Sequence, residues 1–154
     1  MINEKAYMAK QLCGKQLSRR EKNLLEVVQE YGRWKRAYIC APYDGKNTRS
    51  REKIWGYCLF AKERMYVPIA PFLYYPQFMP EFCEKEMQLM RSIALRDLLT
   101  CEEVWVFGNE ITPEMEREVS CASSHGINIR FLPDYEEMIR MDPKPKLDEG
   151  TAEE

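Results

Sequence analysis

Four short apolar runs decide what this chain can fold into. AYICAP, MYVPIAP, EVWVFG and INIRFL are rich in Val, Ile and aromatic residues. Longer stretches separate them, in which apolar residues recur every three or four positions, so strands alternate with helices as in a parallel sheet. The pattern predicts strands at 37–41, 65–70, 104–108 and 127–132. It predicts helices at about 50–64, with Ile54, Tyr57, Cys58 and Ala61 on one side, at about 83–99, and from Thr112 to near Gly126 with Pro113 in its first turn.

Ahead of this pattern, residues 1–35 read as a helical appendage. Ser18 can cap a helix along which Leu24, Leu25, Val28 and Tyr31 form one apolar stripe. The stripe suits packing on the sheet domain, a second subunit or another protein. The α/β domain is expected over 36–140, with DYEEMIRM adding a turn or two of helix. The proline-broken, charged stretch from 141 to 154 is expected to be a disordered acidic tail.

Composition narrows the function classes. A chain of 154 residues can bury a core of its own, and 23 basic against 25 acidic residues leave a net charge of −2. That balance gives no basic field for long nucleic acid. The six cysteines make no CxxC pair and there is a single histidine, so neither zinc nor a disulfide framework is expected. Neither GxxxxGK[ST] nor GxGxxG occurs, which argues against a nucleoside triphosphatase or a dinucleotide enzyme. With no apolar leader and no run of about 20 apolar residues, a cytoplasmic protein without a membrane span is expected.

The residues with chemistry cluster where strands give way to loops and helices, the edge at which open α/β sheets bind ligands. Glu118 lies in an acidic helix start, ITPEMEREVSCA, with Glu114 and Glu116 expected to point outward. Tyr43 and Asp44 sit in the turn Pro42-Tyr43-Asp44-Gly45, where a phenol and a carboxylate suit a sugar hydroxyl or a base; the same residues also make a good turn. The segment PIAPFLYYPQFMPEFCEK is expected to be an ordered loop, since proline removes donors and fixes φ. Its rings, including Phe72, Tyr74 and Phe78, could form a pocket wall, cap the core or meet a second subunit. Trp55 and Trp105 are expected in the core, and His125 at a helix C-terminus.

The words YICAPYDG, VPIAPFLYYPQFM, LLTCEEVWVFG and ITPEMEREVSCASSHGINIRF together resemble a family of phage and bacterial domains similar to nucleoside 2-deoxyribosyltransferases. The resemblance implies a three-layer flavodoxin-like or Rossmann-like parallel sheet of four to five strands. It implies a sugar and base pocket at Tyr38 and Pro42, with Met115 at the helix start. It further implies a nucleophile at Glu118, within the word E-x-x-x-A, and an orienting acid at Glu102. A carboxylate beside an anomeric carbon can stabilise an oxocarbenium-like state or attack it. Related transferases complete their sites across subunits, so a homo-oligomer is implied.

Three positions depart from the family words. Glu102 stands for an Asp, Phe72 for a His, and Glu114 for a Gly whose absence adds negative charge where a phosphate would approach. The expected function is cleavage or transfer at the N-glycosidic bond of a nucleoside or nucleotide, without metal or redox cofactor. The alternative is a non-catalytic nucleotide-binding or protein-interaction protein of a phage or mobile element, such as an antagonist of host defence with a host protein as partner.

Overall fold

The computed structural model describes residues 18–141. The tail expected after 141 and the first 17 residues lie outside the described residues. The chain divides into two compact units, Met1–Trp34 and Lys35–Glu154. In the first, helix α1 (Arg19–Tyr31) opens on a full capping box: the Ser18 hydroxyl accepts from the Glu21 amide while the Glu21 carboxylate accepts from the Ser18 amide.

In the second unit the strands are β1 (Lys35–Cys40), β2 (Tyr66–Ile69), β3 (Glu103–Phe107) and β4 (Asn128–Leu132). All four run parallel in the order β2-β1-β3-β4. Their connections carry α2 (Thr48–Glu63), the short α3 (Pro71–Tyr74) with a 3-10 turn at Tyr75–Gln77, α4 (Glu84–Leu99) and α5 (Pro113–Ser124); α6 (Tyr135–Met141) follows β4. The fold is the expected three-layer, Rossmann-like α/β arrangement with four strands. Among the described residues, no helix is long and apolar enough to cross a membrane.

Period-two alternation divides the core between the sheet faces. Ala37, Ile39, Ala41, Trp105 and Phe107 face Ile54, Tyr57 and Ala61 of α2 and Met138 of α6. Tyr38, Cys40, Val104 and Val106 face Leu98 of α4 and Met115 and Ala122 of α5. Gly126 ends α5 with φ 67°, and the Ile127 amide returns to the Ala122 carbonyl at 2.9 Å. An added Cβ at Gly126 would meet nothing within 4 Å, so glycine is needed there for backbone conformation alone.

Three expectations are corrected. The proline-rich segment is partly helical: Pro71 occupies the first turn of α3, where its missing N–H costs nothing, and the 3-10 turn follows directly. Trp55 is 63% exposed, because it stands one residue beyond Ile54 and so falls outside the stripe that α2 buries. Glu114 does not point outward but lines a pocket with Glu118. Trp105, 1% exposed, is in the core as expected. His125 caps α5, its Nδ1 2.8 Å from the Cys121 carbonyl.

Candidate functional site

Glu118 is held inside by the helix that carries it. Thr112 caps α5 by accepting from the Met115 amide at 3.2 Å, and Pro113 fixes the first turn. Met115, Glu118 and Ala122 then fall on one helical stripe. Met115 and Ala122 pack against Tyr38, Cys40, Val104 and Val106, so the glutamate between them is carried to 6% exposure. Burial raises its pKa to about 7. The Cys40 thiol and the Tyr38 phenol, which favour the charged form, offset part of that shift, and the nearby Glu114 charge adds to it.

Burial and the Glu118 charge keep both Tyr38 and Cys40 protonated. Neither the Tyr38 hydroxyl nor Glu118 Oε2 closes a hydrogen bond of ordinary geometry among the described residues. An unpaired polar atom in a buried setting is costly unless a ligand or water completes it.

Glu118 opens onto two adjoining spaces. The larger, about 460 Å³, is bounded by Glu84, Gln88, Arg91, Ser92 and Leu95 of α4, by Glu114, Arg117 and Glu118 of α5, and by Phe72. The smaller, about 90 Å³, lies toward the end of β1 and adds Ala41, Tyr43, Met87 and Thr112. Phe72, Arg91, Glu114 and Glu118 border both. Arg91 and Glu114 pair across the gap between the helices at 3.5 Å.

The sequence-predicted residues do not all come together. Tyr38, Tyr43, Phe72, Met115 and Glu118 come together: the Tyr43 and Phe72 rings stack at 4.9 Å, and the Tyr43 hydroxyl donates to Glu81. Tyr74 and Phe78, 61% and 60% exposed, meet each other edge to face and do not border the Glu118 pocket. Pro42 borders a separate crevice of about 340 Å³ with Asn47, Ser50 and Gly108, at the carboxyl ends of β1 and β3. Asp44 is a turn residue whose Oδ1 accepts from the Lys46 amide at 3.0 Å.

Glu102 is not brought to Glu118. It precedes β3 at the amino edge of the sheet, where its carboxylate accepts from the Arg36 amide at 2.5 Å. The carboxylates that border the pocket beside Glu118 are Glu84 of α4 and Glu114, one helical turn before Glu118. Glu114 with Glu118 at i, i+4 was a readable signal for this pairing. Arg91 and Arg117 were missed as pocket residues, and Arg91 carried no local signal because it arrives from another helix.

Residues 35–132 match a family described as a domain of unknown function (DUF7768). No curated protein matches the chain.

Proposed function

Because the chain belongs to this family of domains of unknown function (DUF7768), which brings no activity with it, we propose a function from the site itself. The protein acts on the N-glycosidic bond of a nucleoside-type substrate, with Glu118 as the reacting carboxylate. The observation that carries this reading is a buried glutamate, raised to about 7, that borders a pocket of about 460 Å³ and keeps one buried oxygen without a hydrogen-bond partner among the described residues. The resemblance of the Glu118 word to that of nucleoside 2-deoxyribosyltransferases supports the same chemistry.

In this mechanism the Glu118 carboxylate attacks the anomeric carbon as the bond to the base breaks. The base leaves with the bonding electron pair and is protonated from solvent. Water, or a second base, then displaces the carboxylate and completes hydrolysis or transfer. The Tyr43 and Phe72 rings, stacked on each other, border the smaller cavity and give it an apolar side. Glu114 takes the sugar-orienting role first expected of Glu102. Since the ionised form attacks, the rate should rise with pH through about 7 and level off above it.

The test is a panel of nucleosides and 5′-nucleotides incubated with wild type and Glu118→Ala across pH 5 to 9, with base release followed by chromatography. Release that climbs through neutral pH and disappears in the variant is expected. No release from any substrate, or undiminished release by the variant, would contradict the reading.

A further inference from the structure

The Glu118 pocket carries two guanidinium-bearing residues that its proposed chemistry does not use. Arg91, on α4, is held by Glu114 at 3.5 Å, with both side chains about one-third exposed. Such a pair is long and solvent-screened, and pairs of this kind contribute little. Arg117 borders the same space one residue before Glu118. A phosphate-type anion offers Arg91 a better partner, because guanidinium and phosphate match in bidentate, charge-assisted geometry.

The carboxylates around the pocket set what an incoming anion must overcome. Glu84 borders the pocket and opposes it, Glu114 competes for Arg91, and Glu118 is only partly ionised near neutral pH. Glu114 is therefore an intramolecular competitor that shares the Arg91 guanidinium. Displacing it would remove the bridge bordering both cavities and leave the Glu114 carboxylate for a sugar hydroxyl.

We infer that Arg91 and Arg117 form an anion subsite in which a phosphate group of the ligand displaces Glu114 from Arg91, while the uncharged remainder lies along the pocket toward Glu118. This deepens the proposed function and rests on it for the identity of that remainder; the subsite itself rests only on the pocket. It reverses the expectation that Glu114 simply repels phosphate. The negative charge is present, but it is already engaged by an arginine that can exchange it.

Substitutions on the two sides of the ion pair separate this assignment from a structural role, because they act in opposite directions. Inorganic phosphate is titrated into wild type, Arg91→Gln, Arg117→Gln and Glu114→Gln, with affinity read by calorimetry. Loss of a charge-assisted contact should weaken phosphate binding about tenfold in each arginine variant, whereas Glu114→Gln should strengthen it. No phosphate binding by wild type, or weakening in Glu114→Gln as in Arg91→Gln, would overturn the subsite.

A parallel arm compares base release from a nucleoside and its 5′-monophosphate. Phosphate binding with the expected variant pattern but no base release would retain the subsite and reject the glycosidic reading. Equal release from both substrates, insensitive to Arg91→Gln, would retain the glycosidic reading and reject the subsite.

Discussion

At the scale of single residues, the site is a conflict between where the fold puts Glu118 and what a carboxylate tolerates. Its position between Met115 and Ala122 on a buried stripe is a core position, and a charge there must be desolvated. The folded-state pKa of about 7 lies above the ordinary 4.5, so the native state holds this proton more tightly than the unfolded chain. Stability from that difference is fully present below about pH 4.5 and is lost as pH rises through 7, by about 3 kcal/mol in all. Glutamine mimics the protonated form. Glu118→Gln should therefore match wild type in thermal midpoint at pH 5 and exceed it by several degrees at pH 9. Equal midpoints at both pH values would mean that Glu118 ionises as an exposed glutamate does.

At the scale of elements, α2 and α6 are fitted to each other by the absence of a side chain. A Cβ built on Gly56 would lie 2.0 Å from the Tyr135 ring, and the Tyr57 hydroxyl beside it accepts from the Tyr135 amide at 3.0 Å. Gly56→Ala should force the ring and α6 away from the sheet, at about 1–3 kcal/mol for overpacking. Chemical denaturation checks this, and an unchanged midpoint would show that Tyr135 swings clear. By contrast, the Tyr43 turn is clasped through a flexible group: a Cβ on Gly45 would meet the Glu81 carboxylate, whose oxygen also receives the Tyr43 hydroxyl.

The element scale also explains what could be read in advance. Strands β1 to β4 were legible because each is a short apolar run bounded by turn residues, and α5 because Thr112-Pro113 and Gly126 mark its ends. Trp55 was misplaced because an aromatic residue beside a buried stripe resembles one within it. Helix in the proline-rich segment was missed because Pro71 was read as a breaker, although a first-turn proline favours a helix start.

At the scale of the whole molecule, the site depends on strand order. Placing β1 beside β3 brings Tyr38 and Cys40 under α5, and the α4 crossover brings Arg91 opposite Glu114. These neighbours lie far apart in the chain, so no local pattern announced them. Glu102 shows the reverse case: a plausible acid next to β3 in sequence, it was placed by the parallel sheet at the opposite edge from Glu118. The matched family spans 35–132, which includes every strand and the whole Glu118 pocket.

In the proposed mechanism Glu118 is the nucleophile that carries the sugar after the base leaves, and peptide mass reports that step directly. The protein is quenched in acid during incubation with the best substrate from the panel, digested, and the peptide containing Glu118 is weighed. The account predicts a fraction heavier by one sugar residue, with the addition mapped to Glu118 and absent from Glu118→Gln. Base release with that peptide unmodified, and with Glu118→Gln as active as wild type, would contradict it.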